Sequence, residues 1–323
     1  MIEDGPHASG KPGAQMISGP EHDPRAMRFG QDGAEPAANG AALTSSGLAS
    51  QPRIPSDSCC LTELLDQPYS VGEADRKALD LAGGWARRWT AKWKIAGTEV
   101  ICPVQDMPAV PARGCGPVRP FSWRTTQRHR PGLASMISTG RLHGFESIAE
   151  QKLLLAWDFI GDLVDLVSQP MRLRFTTTSG SASHIPDFLA VTRSGTWLVD
   201  VRPAGRIGDE DRIKFAASAE AALACGWQYL VVTGWRPQVA AVLDALSAQR
   251  RPLSDRLGIQ DELLGAAARG PQPFGRLVAA TSYPAIGRAH ALHLLWRRRL
   301  GIDLRRPLND KTLVWVSSVR ERQ

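Results

Sequence analysis

The sequence predicts an α/β protein with a mixed β-sheet flanked by helices and a C-terminal winged-helix-like α+β domain. Two observations lead to this prediction. Residues 145–249 show hydrophobic patterns in the order helix, three or four strands, helix, strand, helix. Residues 250–323 show three short helical patterns followed by a two-stranded wing, as in relatives of the helix-turn-helix fold. A chain of 323 residues can bury a core large enough to need no disulfide or metal for stability.

The first 56 residues differ from the rest in composition. They are rich in Gly, Pro, Ala and Ser and contain few large apolar side chains. Such a segment cannot bury enough apolar area to offset its ordering entropy. We therefore predict a disordered tail over 1–56.

The next region, 57–144, contains a tryptophan stripe. Trp85, Trp89 and Trp93 recur every four residues, which predicts a helix over 73–94. This spacing favours a stripe facing the core over a platform that stacks nucleic-acid bases. A strand is predicted over 98–104, followed by a proline-rich loop.

Residues 113–144 carry basic and aromatic side chains and no Asp or Glu. Two interpretations remain open, a solvated basic face and a surface that tracks a nucleic-acid backbone, because clustered arginines neutralise phosphates. The candidate DNA-binding residues here are Arg119, Arg124, Arg128 and Arg130.

The central region, 145–249, has the clearest periodicities. Strands alternate apolar and polar residues, and an Arg-Ser-Gly link joins two of them as a hairpin. The predicted helices are 147–157, 214–224 and 237–248, and the predicted strands are 164–170, 171–175, 187–191, 196–201 and 229–233.

The C-terminal region, 250–323, is strongly basic, with fourteen Lys and Arg against six Asp and Glu. Helices are predicted over 256–268, 273–280 and 290–299, and the wing over 303–316. Arg297, Arg298 and Arg299 are its candidate DNA-binding residues.

Composition and motifs exclude several classes. No apolar run approaches the ~20 residues that span a bilayer, and the N-terminus lacks a signal-peptide core. Five cysteines without a CxxC pair disfavour a disulfide framework or zinc ribbon. No GxGxxG or GxxxxGK[ST] motif occurs, which disfavours nucleotide hydrolysis. These features predict a cytoplasmic protein with no membrane partner.

One group of residues points to chemistry. Asp187 and Asp200 lie at the start and end of two strands of a predicted hairpin, where the strand ends are adjacent. Two carboxylates at such a point can hold a divalent cation that prefers oxygen ligands. Arg202 shares a strand face with Asp200, and Glu150 on the preceding helix offers a third carboxylate. On spacing alone, the favoured explanation is that Asp187 is a turn or strand-edge residue and that Asp200 and Arg202 form a surface pair.

The motifs resemble the PD-(D/E)xK nuclease superfamily, and specifically TnsA-like transposon endonucleases of the actinobacterial branch. The resemblance covers roughly residues 85–316. Its core motifs are Phe145-Glu-Ser-Ile-Ala-Glu150, Ser168-Gln-Pro170, His184-Ile-Pro-Asp-Phe-Leu189, Val199-Asp-Val-Arg-Pro203, and Lys214 followed by Gly226-Trp-Gln-Tyr-Leu-Val-Val232; its flanking motifs are Pro117-Val-Arg-Pro-Phe-Ser-Trp-Arg124, Gln127-Arg-His129, His293-Leu-Leu-Trp296 and Asp303-Leu-Arg-Arg-Pro-Leu308.

The resemblance implies a Mg²⁺-dependent DNA endonuclease, with Mn²⁺ as a substitute. Glu150, Asp187 and Asp200 then bind the metal and are catalytic. The enzyme cuts the 5′ strand at transposon ends, beside a DDE-type transposase subunit and an AAA+ ATPase regulator. The other interpretations are a catalytically silent module that bridges DNA and transposase, and a stand-alone restriction or repair nuclease.

The sequence departs from the family at one catalytic position, where Arg202 occupies the site of the usual lysine. Arginine stays protonated and cannot act as a base, although its guanidinium pairs well with phosphate oxygens. Lys214 on the next helix is a candidate for a relocated lysine, and a solvated helix lysine is the equal alternative.

Overall fold

The chain folds into a mixed α/β structure in which antiparallel and mixed sheets are flanked by helices. The structure, a computed structural model, describes residues 52–121 and 131–318. The α-helices of this part are α1 Leu61–Leu64, α2 Glu73–Lys77, α3 Trp85–Arg88, α4 Ile148–Ile160, α5 Asp209–Ala224, α6 Val239–Ser247, α7 Ile259–Ala268, α8 Phe274–Ala279 and α9 Pro284–Trp296. The β-strands are β1 Thr90–Ile95, β2 Thr98–Pro103, β3 Cys115–Gly116, β4 Gly132–Ser135, β5 Leu142–Phe145, β6 Leu163–Ser168, β7 Met171–Thr177, β8 Gly180–His184, β9 Phe188–Thr192, β10 Gly195–Val201, β11 Gln228–Val232, β12 Gln272–Pro273, β13 Leu300–Gly301 and β14 Leu313–Val316.

The central sheet has the strand order β11-β10-β9-β6. Strand β10 runs parallel to β11 and antiparallel to β9, and β6 is antiparallel to β9. A second, antiparallel sheet has the order β2-β1-β7-β8, with β3 beside β1. Strands β4 and β5 pair with each other, and β12, β14 and β13 form a small sheet near the C-terminus.

Two hydrophobic cores cover the two faces of the central sheet. On one face, Phe188 and Val199 pack with Leu153 and Trp157 of α4. On the opposite face, Leu198 and its neighbours pack with alanines of α5 and with the second sheet. Successive residues of β9 and β10 therefore point alternately into one core and the other, as expected for strands that are buried on both faces.

A third core joins the C-terminal region to α4. Ala156 and Phe159 of α4 pack with apolar residues of α6 to α9 and of β13 and β14. Ile54 and Leu64 belong to this core too. The described parts of the predicted regions 57–144, 145–249 and 250–323 thus share cores within one compact unit.

The predicted tail over 1–56 overlaps the described residues only at 52–56. Ile54 and Ser56 are buried there, and the Ser56 amide donates to the Ile302 carbonyl at 2.9 Å. Residues 52–56 are therefore folded, and 1–51 lie outside the described residues.

The predicted helix over 73–94 is wrong. Within this fully described range, only α2 and α3 are helical, and Trp89 and Trp93 fall outside them, with Trp93 inside β1. Gly84, with φ of +72°, precedes α3 and favours a break in the chain. Residues four apart share one face in a helix and in a strand, so the tryptophan spacing fits both. Trp89, Ala91 and Trp93 are all buried, which is the two-residue period of a strand.

Most other predicted elements are confirmed with shifted ends. The hairpin of β9 and β10 turns at Arg193 and Ser194, between paired Thr192 and Gly195. Strand β8 was not among the predicted strands, and α9 begins six residues before the predicted start at His290. Within the predicted wing over 303–316, all of which is described, the only strand is β14, and its partners β12 and β13 both precede Asp303. No described helix is long and apolar enough to cross a membrane.

Candidate active site

The predicted carboxylates line one open cavity of about 790 Å³, here called the acid groove. It lies where β8, β9 and β10 meet the first turns of α4 and α5. Its ionisable lining residues are Glu146, Glu150, Asp187, Asp200 and Asp211, with Arg119, Arg202, Arg206 and His184.

The hairpin register places Asp187 and Asp200 together. Phe188 of β9 pairs with Val199 of β10, so Asp187 and Asp200 are the next residues along the two strands and lie opposite each other. The Val201 amide donates to Asp187 Oδ2 at 2.7 Å, which ties the two strand ends across the hairpin. This juxtaposition is the one predicted from the sequence.

The Asp200 carboxylate accepts hydrogen bonds at both oxygens. His184 Nε2 lies 2.7 Å from Oδ1, and the Tyr229 hydroxyl donates to Oδ2 at 2.7 Å. Asp200 itself is only 2% exposed. Burial and the Asp200 charge raise the pKa of Tyr229 well above its usual value, so the hydroxyl keeps its proton.

Glu150 has a structural role besides facing the groove. Ser147 is the N-cap of α4, and Ser147 Oγ accepts from the Glu150 amide at 3.2 Å. The Glu150 carboxylate in turn accepts from the Glu146 amide at 2.9 Å and from Ser147 Oγ at 2.7 Å. This reciprocal arrangement differs from a capping box in that the carboxylate binds the Glu146 amide and the Ser147 hydroxyl rather than the Ser147 amide, and it fixes the Glu150 side chain at the start of the helix.

Burial and neighbouring acids disfavour the ionisation of Asp187 and Glu150. Burial raises the pKa of Asp187 well above its usual value, and the Asp200 and Glu150 charges raise it further. Burial also raises the pKa of Glu150. A cation bound at this point would relieve both effects, because it would offset the desolvated negative charge.

Arg202, which occupies the position of the family's lysine, is bound to a residue of α5. Arg202 Nε and Nη2 lie 3.2 Å and 3.1 Å from Asp211 Oδ2. Arg202 Nε also donates to the Arg206 carbonyl at 3.2 Å. Lys214 is not among the described residues that line the groove, and its Nζ lies 3.1 Å from Glu210 Oε2. The structure therefore brings Arg202, rather than Lys214, to the acids.

The candidate DNA-binding arginines have different surroundings. Arg119 lines the acid groove and pairs with Glu146. Arg297 is exposed at the end of α9, and Arg299 is partly buried beside it. The predictions for Arg124, Arg128 and Arg130 fall outside the described residues.

Arg298 is bound to the protein itself. Its Nη1 and Nη2 donate to the carbonyls of Ile160 and Cys59 at 2.9 Å and 2.8 Å, and its guanidinium lies 5.7 Å from the Phe159 ring centroid. A left-handed backbone, φ +59°, turns it away from the run of neighbouring arginines. These contacts give Arg298 a structural role, and the prediction that it binds DNA loses its basis.

A second cavity, of about 1130 Å³, adjoins the first and is here called the basic groove. It runs between α4 and α6, beside β4, and Ile148 of α4 lines both cavities. Its charged lining residues are Lys152, Arg236, Arg250 and Arg251, with Asp158 and Asp244. This groove could not be predicted from local patterns, because its residues come from segments about 100 positions apart.

His184, Tyr229 and Asp211 are neighbours of the site that the sequence patterns did not predict. His184 ends β8 in the second sheet, and Tyr229 lies in β11, so only the tertiary pairing brings both to Asp200. A polar side chain at the start of the buried strand pattern Tyr-Leu-Val-Val was the available signal for Tyr229.

The donor chemistry of the acid groove suits a divalent cation held by few protein ligands. Among the described residues, no group of three or more His, Cys, Asp or Glu side chains is arranged to hold a metal ion. Asp187 and Asp200 still offer two adjacent carboxylates, and Mg²⁺ is commonly bound through one or two carboxylates together with waters and phosphate oxygens. The residues present fit that mode.

Similarity to known proteins does not identify a family for this chain. No protein-family model matches it, and no curated protein matches it. The groove geometry and the motifs are therefore the basis for a functional proposal.

Proposed function

We propose that this protein is a Mg²⁺-dependent DNA endonuclease subunit of a heteromeric transposase. In this proposal it cuts the 5′ strand at transposon ends in the bacterial cytoplasm, beside a DDE-type transposase and an AAA+ regulator. The nuclease part of the proposal rests on the acid groove. The transposase and regulator enter on the resemblance of the motifs alone.

One observation carries the proposal. Asp187 and Asp200 end two neighbouring strands at the same point, and the Val201 amide ties them together. Glu150 and Arg202 line the same cavity. Carboxylates beside a guanidinium are the groups that hold a divalent cation and a phosphodiester side by side.

The order of elements around the groove supports the superfamily resemblance. Helix α4 is followed by β6, β9 and β10 of the central sheet, then by α5 and by β11 parallel to β10. Strands β7 and β8 form an inserted hairpin that joins the second sheet. The resulting mixed sheet between helices is compatible with a restriction-endonuclease-like core.

The residues of the groove divide the chemistry between them. A bound Mg²⁺ would lower the pKa of a water and neutralise charge on the scissile phosphate. Asp187 and Asp200 would hold the ion, and Glu150 lines the same cavity. Arg202 can donate to a phosphate oxygen but cannot accept a proton from the attacking water.

The basic groove supports a polyanionic substrate. Among the described residues, four cationic side chains line it against two acids, and it adjoins the acid groove at Ile148. Neutralisation of phosphates by Lys and Arg supplies most of the affinity of a protein for DNA. A DNA segment held in the basic groove would lie beside the carboxylates.

The alternative is a catalytically silent module that bridges DNA and transposase. The arginine at the lysine position favours it, since Arg202 is bound to Asp211 and cannot serve as a base. A silent module needs the folded groove but not the ionised acids.

Strand-specific cleavage separates the two. A supercoiled plasmid carrying the element's ends is incubated with the full chain, the co-encoded transposase and Mg²⁺ or Mn²⁺. Wild type is compared with Asp187→Ala and with Asp244→Ala, an acid in the basic groove. We expect 5′-strand cuts with wild type and Asp244→Ala, and none with Asp187→Ala. The silent module would be favoured if all three proteins bind DNA and give the same amount of 5′-strand product. It would also be favoured if all three bind DNA and none gives 5′-strand product.

A further inference from the structure

Asp200, one of the three predicted metal ligands, is held by side chains from two different sheets. His184 comes from β8 of the second sheet and lies 2.7 Å from Oδ1. Tyr229 comes from β11, next to β10 in the central sheet, and donates to Oδ2 at 2.7 Å. Asp187, by contrast, accepts from the backbone of Val201.

The His184 side of this arrangement is itself supported by packing. The His184 ring meets the Phe215 ring of α5 edge-on at a centroid distance of 6.4 Å. Tyr69 also packs edge-on against Phe215, with centroids 5.5 Å apart. Phe215 of α5 thus supports the orientation of His184 and is itself packed against Tyr69, and rotation of the Asp200 carboxylate would break its hydrogen bonds to both His184 and Tyr229.

Two donors leave a carboxylate with lone pairs to spare. An ionised carboxylate has about four lone-pair sites, of which His184 and Tyr229 use two. The remaining sites are held in one orientation beside Asp187. Partners of this kind, which contact a metal ligand rather than the metal, typically change metal affinity or activity about 10–100-fold when they are replaced.

We propose that His184 and Tyr229 are positioning residues that fix the Asp200 carboxylate for binding a divalent cation. This inference rests on the proposed function, since it presupposes that the acid groove takes a cation. It adds that cation affinity is set by a hydrogen-bonded unit of three residues, two of which bind no metal themselves.

The test is Mn²⁺ binding to the purified full chain, followed by the electron paramagnetic resonance signal of free Mn²⁺. The variants are Tyr229→Phe, His184→Ala, His184→Gln and Asp187→Asn. Tyr283→Phe is the matched control, because it makes the same change at a tyrosine that is 53% exposed and outside both grooves. Thermal unfolding of each metal-free variant reports whether it folds.

We expect Tyr229→Phe and His184→Ala to weaken Mn²⁺ binding about 10-fold or more, and Tyr283→Phe to bind as wild type does. His184→Gln keeps a donor for Asp200 and recovers part of the affinity. In the cleavage assay, Tyr229→Phe raises the metal concentration needed for half-maximal rate, and saturating metal restores most of the rate. A general loss of packing would not raise the metal concentration needed while leaving the rate at saturating metal nearly unchanged.

Two results overturn the proposal and differ from each other. If Asp187→Asn loses Mn²⁺ binding while Tyr229→Phe and His184→Ala bind as wild type does, the positioning role is wrong and the proposed function stands. If the wild-type protein itself binds no Mn²⁺, the cation site fails and the positioning role fails with it. Should His184→Ala not fold, Tyr229→Phe and His184→Gln decide between these results.

Discussion

The two grooves of this protein meet on one helix and have opposite charge. Among the described residues, the acid groove is lined by five carboxylates, three arginines and His184, and the basic groove by four cations and two carboxylates. Helix α4 contributes to both: Glu150 at its first turn faces the acids, and Lys152 faces the basic groove.

The opposite charges of the two grooves suggest separate roles, DNA binding for the basic groove and cleavage for the acid groove. A DNA backbone is attracted by the basic groove and repelled by the uncompensated acid groove, so the acids cannot supply binding on their own. If the acids serve cleavage and the cations serve binding, then substitutions in one groove should leave the other property intact. The following predictions test that separation, from the largest expected effect to the smallest.

The largest effect is expected from Asp187→Asn in the acid groove. It removes a negative charge while keeping the shape of the side chain, so a cation would lose a principal ligand. We expect cleavage to fall on the order of 100-fold or more, because metal-ion catalysis supplies several kcal/mol. DNA affinity, measured by fluorescence anisotropy in the absence of divalent ions, should be equal to wild type or higher. A loss of DNA affinity alongside the loss of cleavage would show that the acid groove contributes to DNA binding as well.

A smaller effect is expected from the basic groove. The triple variant Lys152→Ala, Arg250→Ala and Arg251→Ala should lower DNA affinity roughly 10-fold or more at moderate salt. It should also lower the slope of log affinity against log salt by about one for each phosphate that the protein no longer neutralises.

Lys77→Ala is the control for this triple variant. Lys77 lies on α2, and its side chain is 75% exposed in an ion pair with Glu73. It should change neither the affinity nor the slope. An unchanged slope in the triple variant would move the DNA-binding surface elsewhere.

The smallest effect concerns stability against pH. The pKa of Asp187 is raised in the folded protein above its ordinary value of 3.8. The folded state therefore binds this proton more tightly than the unfolded state does, and the stability that it contributes is lost as pH rises. We expect Asp187→Asn to be more stable than wild type near pH 7 in EDTA, with the difference shrinking as pH falls towards 4.

Thermal unfolding at several pH values measures this difference. A chain of this size shifts its unfolding midpoint by about 2–4 °C for each kcal/mol. Added Mn²⁺ should reduce the difference in unfolding midpoint between Asp187→Asn and wild type, because it stabilises the ionised acids of the wild-type protein. A variant that is less stable than wild type at pH 7 would show that the acids do not repel one another in the groove.

Local patterns were sufficient to predict the hairpin of β9 and β10 and the start of α4. An Arg-Ser-Gly link between two apolar strands determines their register, and the register places Asp187 beside Asp200. Ser147 and Glu150 have the spacing of a capping box, so the helix start could be predicted from two residues. Both are short-range relations that the chain expresses within a few positions.

Relations between distant segments could not be predicted in this way. His184 and Tyr229 reach Asp200 only through strand pairing in two sheets, and the basic groove joins α4 to residues about 100 positions later. Arg298 shows the same limit on a smaller scale. Three successive arginines predicted a DNA-binding run, whereas a left-handed backbone turns the middle one onto the carbonyls of Ile160 and Cys59.

The contact between the segment at Ile54 and the C-terminal region has a consequence for synthesis. The Ile302 amide donates to Ser56 Oγ at 2.9 Å across 246 residues, and the Leu304 amide donates to the Ile54 carbonyl at 3.0 Å. A ribosome adds about 5–20 residues per second, so Ile54 is made roughly 12–50 s before its partners. For part of that interval the face of α4 around Phe159 also lacks α6 to α9, which cover it. A nascent chain paused before α6 would expose this apolar surface to chaperones, and the third core would close only once nearly all of the protein had been made.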